Sequence, residues 1–184
     1  FFYLPQGLLQ REIDTLNRET KYAYDTYGRL ETVTNSDGTF RKYVYDNAGN
    51  AVATTGEGGH TTTRSFDAMN RVVSVQAPPP GGDGGAQGPL TTYVYDDAGN
   101  ALRITDPRGG ATAMSYDMRG RLLTHTDAVG AVITREYGAD ENLSAVIDAL
   151  GRRTEFTYDL RNRLELTKDA LGRYSSITYD AGGR

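Results

Sequence analysis

Tyr116-Asp117-Met118-Arg119-Gly120-Arg121-Leu122-Leu123-Thr124-His125-Thr126-Asp127-Ala128-Val129-Gly130 holds two Asp-x-x-Gly turns, one on each side of a short run of strand-forming residues. The pattern reopens at Tyr137. A segment that recurs at a fixed period points to architecture before chemistry, because each copy of a repeated residue has the same local job.

Counted from the aromatic that opens each copy, the repeats start at Tyr24, Tyr45, Phe66, Tyr95, Tyr116, Tyr137, Tyr158 and Tyr179. Every step is 21 residues except Phe66 to Tyr95, which is 29. The surplus of 8 falls on Ala77-Pro78-Pro79-Pro80-Gly81-Gly82-Asp83-Gly84-Gly85-Ala86-Gln87-Gly88, a Pro/Gly run that reads as an enlarged loop spanning 77–89.

The residue after the aromatic is Asp25, Asp46, Asp67, Asp96, Asp117, Asp159 or Asp180. Four residues after the aromatic stands Gly28, Gly49, Gly99, Gly120 or Gly183, replaced elsewhere by Asn70, Glu141 and Asn162. An Asp carboxylate accepts the backbone N–H two residues on, and Gly or Asn adopts the left-handed conformation that closes such a turn. A second turn residue lies seven before each aromatic: Asn17, Gly38, Gly59, Gly88, Gly109, Gly130, Gly151 and Gly172. Asp14, Asp106, Asp127, Asp148 and Asp169 precede five of these by three residues. Two turns per repeat leave room for two strands of about five or six residues. Each repeat is predicted to be a β-hairpin, and eight repeats to give about 16 antiparallel strands.

Two residues before each aromatic come Tyr22, Tyr43, Arg64, Tyr93, Met114, Arg135, Phe156 and Ile177, and the residues between are smaller or polar. This period of two puts the aromatics on one face of the sheet and leaves the other wet or in polar contact. In the companion strand Leu30 and Val33, or Leu143 and Val146, are apolar at a spacing of three, which predicts a β-bulge there. A twisted open sheet of more than about ten strands curls, splits or stacks. The fold class predicted is all-β, a long curved strip of tandem hairpins.

Hydrophobic content of 38% with 22 glycines suits turn-rich β structure with a thin core. A formal charge of -4, with acids and bases interspersed, offers neither the basic stripe of a nucleic-acid binder nor a polybasic membrane patch. The absence of Cys excludes disulfides and thiolate metal sites. No apolar run approaches transmembrane length. The chain opens on Phe1 and closes inside another turn, so it reads as a fragment. Residues 1–13, with Phe1, Phe2, Tyr3, Leu4 and Pro5, read as an apolar lead-in strand or edge cover, and 14–184 as the repeat strip.

Tyr24-Asp25-Thr26-Tyr27-Gly28-Arg29, Tyr95-Asp96-Asp97-Ala98-Gly99-Asn100 and Tyr116-Asp117-Met118-Arg119-Gly120-Arg121, at this spacing, resemble the YD-repeat or Rhs (rearrangement hotspot) family across residues 14–184. The resemblance implies a hairpin strip that spirals into a hollow shell. In bacterial polymorphic toxins and insecticidal toxin complexes such a shell encloses a C-terminal toxin domain; in teneurins a similar barrel is extracellular and adhesive. It also implies, as partners, the remaining repeats of the shell and the enclosed toxin, in a secreted or cell-surface, bacterial setting. Asp106-Pro107-Arg108-Gly109 looks like part of the junction at which such shells cleave themselves, but it occupies an ordinary second-turn position and the downstream elements are missing.

Each Asp has a sufficient role in its own turn, which weighs against calcium sites. His60 and His125 lack a nucleophile at recognisable spacing, so no catalytic residues are expected, and neither metal nor cofactor. The tyrosines could form a glycan-binding platform, but cross-strand aromatic pairing accounts for them more simply. Asn142-Leu143-Ser144 matches a glycosylation sequon. The reading is a structural, non-enzymatic shell segment, with an extracellular adhesion or carbohydrate-binding module as its rival. Open sheet edges add self-association as an expected partner mode.

Overall fold

The computed structural model describes residues 1–81, 87–180, 182 and 183. Its regular elements are seventeen β-strands, with no helix among the described residues. The chain forms two units, residues 1–93 and 94–184. The first is built from β1 (Phe2–Tyr3), β2 (Leu9–Ile13), β3 (Glu19–Tyr24), β4 (Leu30–Thr34), β5 (Phe40–Tyr45), β6 (Ala51–Thr55), β7 (Thr61–Phe66), β8 (Val72–Gln76) and β9 (Leu90–Tyr95), the last running on past the boundary. Each pairs antiparallel with the next in chain order. The second contains β10 (Ala101–Thr105), β11 (Ala111–Tyr116), β12 (Leu122–Thr126), β13 (Val132–Tyr137), β14 (Leu143–Ile147), β15 (Arg153–Tyr158), β16 (Leu164–Lys168) and β17 (Tyr174–Ser176). These too pair antiparallel in chain order.

The bulge lies where the spacing of three in the companion strand places it. Tyr22 faces Val33 and Ala23 faces Thr32, but Tyr24 faces Leu30, so Glu31 is the extra residue. The same shift recurs opposite Tyr3, Tyr45, Phe66, Tyr116, Tyr137 and Tyr158. One extra residue between Leu30 and Val33 turns a spacing that should split across the sheet into one that shares a face with Tyr22 and Tyr24. Tyr22 and Tyr24 are half-buried while Ala23 between them is exposed.

The opposite face is held by polar cross-strand contacts. Ser115 and Thr124 pair through their hydroxyls at 2.5 Å. Further along, Ala145 stands between Glu136 of β13 and Glu155 of β15. Arg153 donates from Nη1 and Nη2 to the two carboxylate oxygens of Glu136, at 2.8 and 2.7 Å, and from Nε to Glu155 at 3.0 Å. Lys168 adds a contact of 3.2 Å to Glu155. The Arg153 hydrogen bonds hold the Glu136 carboxyl below its usual range. This bridge roofs β14, and Ala145, at 0% exposure, is the one buried hydrophobic residue among those described. With so little core, stability has to come from ladder hydrogen bonds and contacts between neighbouring hairpins.

At the neck of the insertion the Ala77 N–H donates to Pro89 O at 2.9 Å, and β8 and β9 keep their register down to Gln76 opposite Leu90. Gly88 approaches so closely that a Cβ there would lie 1.7 Å from Ala77 O, so only glycine fits. The interior of the predicted loop, 82–86, lies outside the described residues. Removing the eight residues from Pro80 to Gln87 restores the 21-residue step. Because closure entropy varies slowly with loop length, the deletion is expected to change stability by less than about 1 kcal/mol. Urea unfolding of the shortened chain checks this, and a larger loss would place the loop inside the load of the sheet.

Candidate functional site: a ladder of Asp turns and tyrosines

From Tyr24 onward, the hairpin turns that follow the aromatics are organised around a carboxylate. In the first complete example the Asp25 N–H donates to Arg29 O at 2.9 Å and the Gly28 N–H to Asp25 O at 3.0 Å. Asp25 Oδ1 accepts the N–H groups of Tyr27 and Arg29, both at 2.9 Å, and Oδ2 accepts Arg29 Nε at 2.7 Å. Gly28 has φ +76°, which an L side chain rarely adopts; Asn70 and Asn162 take the same place at 60° and 58°, and Glu141 at 70°. Asp46, Asp67, Asp96, Asp117 and Asp159 open equivalent turns, with Gly49, Gly99 and Gly120 among the closing residues, and Asp180 opens the turn that Gly183 closes. In the repeat of Tyr137 the first position is Gly138, and Asp140 supplies the carboxylate that binds Asn142 Nδ2 at 2.8 Å.

The residue that ends the turn couples one hairpin to the next. Arg29 Nη1 donates to Asp46 O at 2.9 Å, and its guanidinium lies 4.6 Å from the centre of the Tyr45 ring. The Tyr45 hydroxyl returns a hydrogen bond to Leu30 O at 2.9 Å, closing a circuit between adjacent repeats. Arg121 repeats this with Tyr137, at 4.3 Å, whose hydroxyl donates to Leu122 O at 3.1 Å. Arg163 does so with Tyr179, at 4.1 Å, whose hydroxyl donates to Leu164 O at 2.8 Å.

Asn in this position makes a different joint. Asn50 Nδ2 donates to Asp46 Oδ2 at 2.9 Å and to Asn70 Oδ1 of the next turn at 2.8 Å. Asn142 reaches Asn162 Oδ1 at 3.1 Å. The aromatic that follows an Asn turn is not anchored through a hydroxyl to the preceding strand: Phe66 has none, Tyr116 points its hydroxyl at Met114 Sδ at 3.6 Å, and Tyr158 makes no such bond to Leu143. From Arg29 to Arg163 the sequence alternates Arg29, Asn50, Arg71, Asn100, Arg121, Asn142, Arg163, and Arg184, one period after Arg163, breaks the order.

In the second row of turns Asp14, Asp106, Asp127, Asp148 and Asp169 use their carboxylates in the same way without the coupling, whereas Asn35 and Gly56, which have none, open other turns of the row. Asp14, Asp148 and Asp169 hold Arg18, Arg152 and Arg173 through Nε at 2.7, 2.6 and 2.6 Å. Arg152 stays 66% exposed, whereas Arg121, lying on the next tyrosine, is 28% exposed. Asp106-Pro107-Arg108-Gly109 forms one of these turns, with Asp106 Oδ1 accepting from Arg108 and Gly110.

Hydrogen bonds from the residue that ends the turn lower the pKa values of Asp46, Asp67, Asp96, Asp117 and Asp159. The side-chain hydrogen bond from Arg163, helped by its backbone N–H, brings Asp159 from 3.8 down to about 2. Asn50 lowers Asp46 first through its side chain, and the backbone N–H of Arg121 leads the lowering of Asp117. With folded values below unfolded ones, the unfolded chain binds protons first as acid is added. The stabilisation is complete above about pH 4 and is lost as the pH falls toward 2. Asp159→Asn is therefore expected to flatten the stability profile between those limits, as read by circular dichroism melts across the pH series.

Among the described residues no three His, Asp or Glu side chains converge to hold a metal. His60 O accepts the Gly56 N–H in the turn that Gly59 closes, and His125 lies in β12 opposite Met114 and Ile133. Among the described residues no helix is long and apolar enough to cross a membrane. The amide nitrogen of Asn142, within the sequon, is engaged by Asp140 and Asn162.

The sequence reading began the repeats at Asp14, but the pattern starts earlier. Tyr3 and Gly7 lie 21 residues before Tyr24 and Gly28. The Gly7 N–H donates to Leu4 O at 2.9 Å in the same turn geometry, and the Tyr24 hydroxyl donates to Leu9 O at 2.8 Å. Leu4 in place of Asp hid this copy, and counting back one period would have found it.

Tandem antiparallel hairpins, locked to their neighbours by turn side chains and without a thick core, define a β-strip repeat protein. The RHS Repeat family profile matches residues 3–39, 45–79, 95–132, 116–150 and 137–174, and the chain belongs to that family. A search of curated proteins found no match. Among solved structures, a chain of TcdB2-TccC3 without its hypervariable C-terminal region superposes with a TM-score of 0.71 at 17% identity, covering 97% of this chain and 11% of that one. A chain of TcdB2-TccC3-TEV gives 0.60 at 17% identity, covering 99% and 12%. A chain of the Photorhabdus luminescens Tc holotoxin pore carrying a TccC3 mutation gives 0.59 at 14% identity, covering 98% and 12%. The chain thus spans about a tenth of the length of the solved chains it matches, and the likeness is one of fold.

Proposed function

We propose that this chain is a structural, non-catalytic segment of a larger RHS-repeat shell that encloses a toxin component for delivery, in a secreted or cell-surface bacterial setting. The observation that carries the reading is the Arg-to-Tyr joint. It spends the reactive-looking side chains of each turn, Asp25, Arg29 and Tyr45, on holding consecutive hairpins together. The repeat family and the toxin-complex chains sharing the fold support the same assignment. Tyr24, Tyr45, Phe66, Tyr95, Tyr116, Tyr137, Tyr158 and Tyr179, with their Asp partners, are in this reading wall-building residues. The curved wall would continue in repeats beyond this segment.

The test is electron microscopy of the longer protein that carries these repeats, together with protease protection of any enclosed domain. A hollow shell with protected density inside is expected. Replacing Tyr95, Tyr116 and Tyr158 with Leu should release the contents only to the extent that the shell itself weakens. Loss of a glycan affinity or of turnover with the shell intact would make the tyrosine face a binding or catalytic surface instead.

A further inference from the structure

Arg135 occupies a position that other repeats fill with Tyr22, Tyr43, Tyr93, Met114, Phe156 or Ile177. In β13 it shares the aromatic-bearing face with Ile133 and Tyr137, and it stands opposite Val146 of β14. It is half-buried, and its Nη1 is shielded from solvent without an acceptor. Among the described residues it makes no hydrogen bond or ion pair. Arg64, its counterpart in the first unit, donates from Nη1 to Thr54 Oγ1, ten residues back, at 3.2 Å. Ten residues before Arg135 stands His125, which offers a guanidinium no such hydroxyl.

Carboxylates of β13, β15 and the turns of the same hairpins are committed elsewhere. Glu136 and Glu155 bind Arg153 on the opposite face. Asp148 binds Arg152, and Asp127 Oδ1 accepts the N–H groups of Val129 and Ala131. A guanidinium nitrogen shielded from solvent without an acceptor is costly, and the acceptor that suits the planar fork is a carboxylate. Ile133, Val146 and Tyr137 beside it lower the local dielectric and strengthen such a pair.

We propose that Arg135 is a binding site for a carboxylate side chain of an acidic, otherwise apolar polypeptide segment that lies against the aromatic-bearing face of the second unit. A nucleic acid is a poorer occupant, since the chain carries a formal charge of -4 and a single guanidinium among apolar side chains offers no track for successive phosphates. The proposal does not require that the strip close into a shell.

The test uses the 184-residue chain with 15N-labelled arginine. Its Arg135 Nε–H resonance is followed on adding the blocked peptide Leu-Glu-Leu-Leu, its Leu-Gln-Leu-Leu analogue, or inorganic phosphate. The Glu peptide is expected to move the resonance and to bind at least about tenfold more tightly than the Gln analogue, as a charge-assisted pair requires. Arg135→Met should abolish that preference, Arg135→Lys should keep part of it, and Arg135→Met should melt no lower than the parent. Equal binding of the two peptides, no response to either, or a response to phosphate at equal or lower concentration would overturn the proposal. So would a clear drop in the melting temperature of Arg135→Met, which would make the residue part of the sheet's own packing.

Discussion

Ala145→Leu is expected to destabilise the chain by about 1–3 kcal/mol, the range for forcing extra methylenes into a filled site. Ala145 is fully covered, with Glu136 and Glu155 as its cross-strand neighbours and the Arg153 bridge spanning between them. A larger side chain has to lift the guanidinium off at least one carboxylate. Ala145→Ser, close in volume, should cost much less. Urea unfolding of both variants measures the difference, and equal midpoints for Leu and the parent would show that the roof yields freely.

The second large effect is expected at Tyr137. Tyr137→Leu removes the hydroxyl bond to Leu122 O and the ring beneath Arg121. A hydrogen bond is worth about 0.5–1.5 kcal/mol and a partly exposed cation–π contact about 0.5–1 kcal/mol, so the loss should be about 1–2.5 kcal/mol. Tyr137→Phe should recover the ring part alone. Tyr158→Phe should be nearly silent, because Tyr158 follows Asn142 and has no hydroxyl bond to the preceding strand to lose. Comparable losses at Tyr137→Phe and Tyr158→Phe would mean that the hydroxyl circuit contributes nothing.

Much of the fold was legible because its signals are local. The left-handed residues recur at a fixed distance from the aromatics, and the apolar spacing from Leu30 to Val33 carries the bulge within three positions. The links between repeats were not legible. Asn50 meets Asn70, and Arg29 meets Tyr45, across 20 and 16 residues, so no single-turn motif announces them. The buried state of Ala145 was equally hidden. It depends on Arg153 choosing partners two strands apart, and nothing within Leu143-Ser144-Ala145-Val146-Ile147 itself announces that bridge. The repeat at Tyr3 was missed for a chemical reason, because Leu4 cannot make the Asp clamp and the turn there closes on backbone hydrogen bonds.

Because Arg and Asn joints alternate, the strip has a phase as well as a length. In backbone terms one hairpin of 21 residues can replace another, but between Arg29 and Arg163 the side-chain motif returns only after two. Phe66 illustrates the consequence: it follows Asn50, the joint at which no hydroxyl is called for. Excising Tyr45 through Ser65 would leave every strand paired and every turn intact, yet it would seat Phe66 behind Arg29, which needs a tyrosine to close its circuit. Gains and losses of repeats in pairs preserve the order of joints, and single ones leave a dislocation that travels with the chain.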